Sequence, residues 1–357
     1  MNLVETLNNS PYDFYFLVVD DFLDIKVPEL TNFISLSPAS LNIDIAEKNS
    51  GRLLSHPTTI KFIQDHSAAT RHTPVIVPFK PSAKIDLICR QLGWILASNP
   101  SKINRFFEDK IKFYQTCHHL PLIPSLILEF NQSNYLQAQK QFGPKMVLQT
   151  HFGWAGNSSY ISQNYSDSPI PENTLVKFSP YLTGYSLINN CCLTKNGLVQ
   201  SPPGLQYTGL PEITSNPLAT VGRQWPSFTS PDVNSQVEKI TNDFSLILQQ
   251  HHYRGFFGLD FLVSNNIVYL IECNPRLTAS FALYTAIEKN HHLTPLFFLH
   301  LAEFLGIDYP EATHFNQDLV GSEIVNKNTH RKHLAFTAFS STADPVSIDP
   351  QIISQVL

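Results

Sequence analysis

One stretch constrains this chain more than any other. It runs Tyr253-Arg254-Gly255-Phe256-Phe257-Gly258-Leu259-Asp260-Phe261-Leu262-Val263, then Ser264-Asn265-Asn266, then Val268-Tyr269-Leu270-Ile271-Glu272-Cys273-Asn274-Pro275-Arg276. Apolar residues flank each polar one and the asparagine pair supplies turn chemistry, so two antiparallel strands joined by a short turn are expected. In such a hairpin Asp260 lies near Glu272 and Asn274, and the last two, being two apart, share one face of their strand. An isolated strand carboxylate usually marks a solvated face. Here three polar groups interrupt strongly apolar strands, where uncompensated carboxylates are costly. Two carboxylates and an amide oxygen on one face make a hard, all-oxygen site. It suits Mg²⁺, which keeps several waters and bridges carboxylates to phosphates. Asp260, Glu272 and Asn274 are therefore the candidate metal ligands. Arg254 and Arg276 flank them and are suited to grip anionic oxygens in bidentate fashion.

Composition narrows the partners. At 357 residues the chain is long enough for two or three lobes, and 43% hydrophobic with 15% charged residues describes a folded protein. A net charge of −5 without a basic run disfavours nucleic acid and anionic membrane surfaces as partners. Residues 1–10 have no apolar signal core, and no apolar run is long enough to span a bilayer, so a cytoplasmic location is expected. Five cysteines without a spaced framework point to reduced thiols, and the lack of a Cys-x-x-Cys pair argues against zinc.

Strands are expected at 14–19, 32–36, 75–79 and 94–98, with a helix at 84–92; alternating strands and helices suggest a parallel α/β lobe. Residues 42–73 carry few signals. A long helix opens after Pro100 with Ser101 as its cap, followed by a strand at 125–130 and a helix at 133–142. Residues 143–161 read as strand, small-residue loop, strand. There Gly153, Gly156, Ser158 and Ser159 can bring backbone N–H groups close to phosphate oxygens. Strands at 187–193 and 198–201 pair about Lys195-Asn196-Gly197. In the loop that follows, Gln206 and Arg223 are candidates for acceptor recognition. An amphipathic helix at 235–252 has the stripe Val237, Ile240, Phe244, Ile247 and Leu248. A helix beginning at Leu277 is expected to turn its N-terminus toward phosphates. A helix at 295–305 capped by Thr294, and edge strands at 322–325 and 335–339, close the chain.

Three motifs carry a family resemblance. Arg-Gly-x-x-Gly-x-Asp-Phe followed by Tyr-Leu-Ile-Glu-x-Asn-Pro-Arg resembles the metal-binding end of ATP-grasp enzymes. Glu108-Asp109-Lys110 with Leu120-Pro121-Leu122-Ile123-Pro124-Ser125 resembles the entry to their core. The segment 174–186 is similar to the hinge that grips adenine. The likeness spans residues 101–298. It implies that Asp260, Glu272 and Asn274 hold Mg²⁺ (or Mn²⁺) on ATP. It makes Arg276 a catalytic group on the transferred phosphoryl and matches Arg254 to the arginine that D-alanine–D-alanine ligases place near the substrate carboxylate. Lys110 becomes a phosphate contact, and the loop with Gly153, Gly156, Ser158 and Ser159 closes over the triphosphate. Main-chain groups near Pro180 and Leu182 would pair with adenine, with Ser186 toward ribose. Two departures stand out. Gln149 replaces the usual lysine before the loop, with Lys145 assigned to the other strand face, and Ser179 and Ser186 replace glutamates.

The expected fold is α+β: an α/β lobe at 1–100, a small ATP-grasp lobe at 101–180, a large lobe with the metal site at 181–325 and a closing segment at 326–357. The implied activity is ATP-dependent ligation of a small carboxylate to an amine through an acyl phosphate, forming ADP. Such a protein is compatible with a homodimer. The rivals are an ATP-binding sensor or partner protein with reduced catalysis, motivated by Gln149, Ser179 and Ser186, and a carboxylase or synthetase of the same fold.

Overall fold

Three sheets organise the chain in a computed structural model that describes residues 2–20, 23–47, 49–153, 158–211, 213–309 and 319–325. In the first, β1 (Tyr12–Leu17), β2 (Phe33–Leu36), β3 (Thr73–Pro78) and β4 (Ile95–Leu96) lie in the order β2-β1-β3-β4, all pairs parallel. Parallel sheets need both faces covered, and β1 alternates accordingly. Tyr15 and Leu17 pack with α2 (Ser50–Ser55), α3 (Pro57–Thr70) and α4 (Ala83–Leu92). Phe14 and Phe16 enter a core shared with the C-terminal helices α9 (Phe281–Asn290) and α10 (Leu296–Leu305). Ahead of the sheet, α1 (Leu3–Asn8) is closed by a capping box between Asn2 and Glu5. The helices α2 and α3 fill the stretch that carries few sequence signals. Only Thr59 and Ile63 of α3 are buried, so no apolar stripe announces it.

The helix expected after Pro100 is two helices, α5 (Ser101–Glu108) and α6 (Lys110–Thr116). Asp109 adopts extended backbone between them and accepts from the Ile111 and Lys112 N–H groups, capping α6. Ser101 is not a cap; its N–H and hydroxyl both donate to Asp86. A second sheet of β5 (Leu126–Glu129), β6 (Met146–Gln149), β7 (Ser159–Ser162) and β8 (Leu175–Pro180) is antiparallel in the order β5-β8-β6-β7. Its core face, with Met146, Leu148, Val176 and Phe178, packs on Tyr135 and Ala138 of α7 (Gln132–Phe142).

The third sheet holds β9 (Tyr185–Thr194), β10 (Gly197–Gln200), β11 (Gly204–Thr208), β12 (Thr220–Trp225), β13 (Gly255–Ser264), β14 (Ile267–Asn274) and β15 (Gly321–Ile324). They lie in the order β14-β13-β9-β11-β12-β15, with β10 paired to β9. Phe257, Leu259, Phe261 and Val263, every second residue of β13, share a core with the predicted stripe of α8 (Pro231–Gln250). Each fully buried side chain of this kind contributes roughly 1.5–3 kcal/mol. On the opposite side His300 of α10 accepts from the Phe256 N–H through Nδ1 and donates through Nε2 to the Ala97 carbonyl. Burial pushes its pKa down to about 4, so it stays neutral and ties the first sheet to the third. Two caps differ from expectation: α10 starts at Leu296 with no side-chain cap, and α9 starts at Phe281 rather than Leu277. The expected strand at 335–339 lies outside the described residues. Among those described, no helix is long and apolar enough to cross a membrane.

Candidate active site

The hairpin turns at Asn265-Asn266, both with positive φ, as a tight two-residue connection requires. From the turn inward β13 and β14 pair regularly until Phe261 meets Leu270. A bulge then leaves Ile271 unpaired and sets Asp260 opposite Glu272. This extra residue brings the two carboxylates to one face; without it Asp260 would oppose an isoleucine.

Every oxygen in the cluster is engaged or charged. Asp260 accepts from Gln206 Nε2 at 2.6 Å and from Asn274 Nδ2 at 2.8 Å. Asn274 Oδ1 accepts from Arg276 Nη2 at 2.9 Å, and Arg276 Nε donates to Glu108 at 2.8 Å. Glu272 pairs with Lys110 at 2.7 Å. Lys80, at the end of β3, reaches the other oxygen of Glu108 at 3.3 Å. Burial and the neighbouring Glu272 charge push the Asp260 carboxyl up to about 7, only partly offset by Gln206, Arg223 and Asn274. Burial works against the charge on Glu272 too, but Lys110 overrides it and holds the carboxyl below its usual range. The same pair, against the effect of burial, holds Lys110 above its usual value. The cluster thus has one compensated carboxylate and one whose ionisation lacks a cation. That donor set fits a divalent ion held by few protein groups. Among the described residues no group of three or more His, Cys, Asp or Glu could hold a metal alone.

A cavity of about 300 Å³ opens between the second and third sheets above this cluster. Of the residues singled out from sequence, Lys110, Gln149, Gly153, Ser158, Ser159, Pro180, Leu182, Ser186, Asp260 and Glu272 line it. Asn274 and Arg276 line a smaller adjoining cleft with Lys80, Glu108 and Phe152. At the loop base a Cβ on Gly153 would come within 1.8 Å of Ser158 Oγ, so only glycine fits there. Gly156 lies outside the described residues.

Some expectations do not hold. Arg254 does not flank the cluster: it is exposed, lies 4.6 Å from the Phe304 ring and donates to the Glu303 carbonyl, because the residue sits before β13 begins and turns toward α10. Lys145 precedes β6 and places its ammonium 3.7 Å from the Tyr181 ring. Gln206 and Arg223 lie on β11 and β12 rather than in a loop: Gln206 lines the cavity and donates to Asp260, whereas Arg223 pairs with buried Glu323 at 2.6 Å. The N-terminus of α9 lines neither of these two clefts; Thr278 and Ser280 are tied to Asn190. Sequence reasoning passes over Lys177, a buried cavity-lining residue of β8 directly opposite Gln149. The available signal is a lysine set between Val176 and Phe178, both core-type.

The ATP-grasp domain family matches residues 107–280. These residues are an ATP-grasp domain. Residues 143–161, 174–186 and 253–276, which carry the resemblance, all fall inside the match. An uncharacterized protein of Methanocaldococcus jannaschii is 23% identical over 196 residues, covering 53% of this chain and 46% of that protein. The chain therefore spans about half the length of that relative. Among solved structures, N5-carboxyaminoimidazole synthetase from Staphylococcus aureus complexed with ADP aligns with TM-score 0.59 at 13% identity, covering 89% of this chain and 84% of that one. A biotin carboxylase–β,γ-ATP complex from Campylobacter jejuni aligns with TM-score 0.59 at 13% identity, covering 90% of this chain and 71% of that one. Both share the ATP-grasp fold with this chain.

Proposed function

We propose that the chain is an ATP-dependent carboxylate–amine ligase that forms ADP. The observation carrying this is the cavity that runs from the segment Pro180–Leu182 to the Lys110–Glu272–Asp260 cluster. Its course suits a nucleotide with adenine at the hinge and phosphates at the carboxylates. The two solved neighbours named above are complexes with ADP and with β,γ-ATP, which supports the same occupant.

In the proposed reaction a substrate carboxylate oxygen attacks the γ-phosphorus. The new O–P bond forms as the bond to the β,γ-bridging oxygen breaks, and ADP leaves. An amine then attacks the acyl carbon, loses a proton, and inorganic phosphate departs as the amide forms. Lys110 holds phosphate oxygens from one side. Arg276, oriented by Glu108 and Asn274, faces the adjoining cleft, where it can stabilise the transferred group and the tetrahedral oxyanion. Mg²⁺, with Mn²⁺ as a substitute, would be held by Asp260, Glu272 and Asn274 and would neutralise charge on the phosphates. Glu108 keeps a charge despite burial because Arg276 and Lys80 both offset it, and those two cations border the cleft where an anionic acceptor would sit. Five cysteines, all buried and free, fit a reducing cytoplasm.

The test is a mass-resolved product screen: ATP and Mg²⁺ with mixtures of amino acids, short peptides and other small acids and amines, with and without bicarbonate. Amine-dependent ADP release with a condensed product supports the ligase. Product formation that requires bicarbonate assigns the carboxylase rival instead. ATP binding with no ADP release from any mixture assigns the sensor rival.

A further inference from the structure

We propose that Lys177 is the phosphate-binding cation of this cleft, supplying from β8 the charge that Gln149 on β6 does not carry. The assignment rests on the nucleotide reading of the cavity and adds to it a residue that the family resemblance does not point to.

The register decides where the side chain goes. Gln149 pairs with Lys177, and Leu148 pairs with Phe178. Leu148, Val176 and Phe178 are core residues behind the sheet. Alternation along each strand then turns Gln149 and Lys177 to the cleft face, and both line the cavity. Directly opposed residues stand about 4.5–5.5 Å apart at Cβ. A lysine side chain spans that gap easily, so a charge moved from one strand to the next serves the same volume. Gln149 is meanwhile committed elsewhere: its Nε2 donates to Ser159 Oγ at 2.8 Å, at the base of the glycine loop.

The state of the ammonium supplies the second observation. Lys177 is buried at 7% exposure, yet among the described residues no hydrogen bond or ion pair engages its ammonium. The ammonium lies loosely over the Tyr114 ring, 5.7 Å from its centre. Lys110 of α6, itself paired with Glu272, repels it, and the Glu272 charge attracts it without forming an ion pair with it. A buried cation without a partner is costly, and it persists where an anion completes it. Burial, reinforced by Lys110 and only partly offset by Glu272, pulls its pKa down to about 8. Lys177 lines one cavity with the Lys110–Glu272 pair and Asp260, an arrangement suited to a polyphosphate bridged by a divalent ion rather than to a single phosphate.

A titration consequence follows. Free Lys177 loses its proton as pH rises through about 8. A bound triphosphate restores the pairing and raises its pKa. Binding therefore takes up a proton at pH 8.5, and ATP affinity falls above pH 8 by as much as tenfold per pH unit. Gln206, Asp260 and Glu272 face the same cavity, but the two carboxylates are ionised at that pH, and Lys110 is held charged by Glu272.

Titration calorimetry with MgATP, AMP and adenosine, in two buffers of different ionisation enthalpy, tests this on the full chain. Wild type is expected to prefer ATP strongly over adenosine and to take up a large fraction of a proton at pH 8.5. Lys177→Met is expected to lose about 10–100-fold in ATP affinity with adenosine unchanged, in keeping with loss of a charged hydrogen bond. Its affinity should also become flat with pH. The exchanged pair Gln149→Lys with Lys177→Gln is expected to restore ATP binding to within about threefold, as a charge serving one volume from either strand should. Unaltered ATP binding by Lys177→Met, or no proton uptake by the wild type, overturns the assignment while leaving the nucleotide reading in place. Equal affinity of wild type for ATP and adenosine overturns both. The wild-type proton count needs no variant, so a poorly folding substitution does not shield the proposal.

Discussion

The two walls of the cleft answer to different constraints. The β13–β14 wall depends on one bulge and one cross-strand pair, Asp260 with Glu272, and its polar groups are locked by Gln206, Asn274 and Lys110. The β6–β8 wall offers only side chains that project from a regular ladder, Gln149, Lys177 and Ser179. On the first wall each group has a fixed partner, so substitution breaks a network. On the second a charge can change strands and still reach the same space. An acidic centre has to be rigid because two carboxylates repel unless their surroundings are fixed, whereas a flexible lysine tolerates a new origin.

The sharpest way to break this contrast is on the acidic wall. Glu272→Ala removes the partner of buried Lys110 together with a candidate ligand. ADP release is expected to fall at least about 1000-fold, on the scale of losing a major electrostatic contribution to phosphoryl transfer. Circular dichroism should remain that of the wild type. Turnover within about tenfold of wild type would remove the metal assignment and, with it, the difference between the walls.

A smaller effect comes from Asp260. Its folded-state pKa lies above the unfolded value, so its contribution favours folding at low pH and is lost as pH rises through about 7. Above that pH the folded protein holds an uncompensated carboxylate, which a divalent ion relieves. Adding MgCl₂ should therefore raise the melting temperature more at pH 8 than at pH 5.5, by about 2–4 °C for each kcal/mol of difference. EDTA should reverse it. An Mg²⁺ increment equal at both pH values, or larger at pH 5.5, would contradict the charge state assigned to Asp260.

How much of this is legible in the sequence follows the same division. The hairpin, its turn and the grouping of Asp260, Glu272 and Asn274 can be read because alternation and turn chemistry act over a few residues. The bulge at Ile271 cannot, since nothing local marks which residue goes unpaired. The parallel first sheet is visible as four apolar strands, and α8 as a stripe. The helix α3 is not, because it buries only two residues and declares itself through caps. Lys177 escapes for a different reason. Its importance is a relation between two strands, β6 and β8, separated by the loop and β7, and single-strand patterns hold no register. The break at Asp109 escapes because a capping aspartate within a helical pattern looks like any exposed acidic residue.

Arg254 gives the smallest expected effect and the most direct check of what spacing can and cannot place. Spacing alone puts it beside the metal cluster; the structure puts it against Phe304, outside both clefts. Its loss should then act through packing only. A partly exposed cation–π contact is worth about 0.5–1 kcal/mol, so Arg254→Ala should lower stability by about that much and leave turnover and the KM for ATP within about threefold. Turnover lowered by about two orders of magnitude, with an unchanged melting temperature, would mean that the side chain swings from α10 into the site during the reaction. The acidic wall would then be completed by a residue that leaves its resting contact, and rigidity would no longer be what separates the two walls.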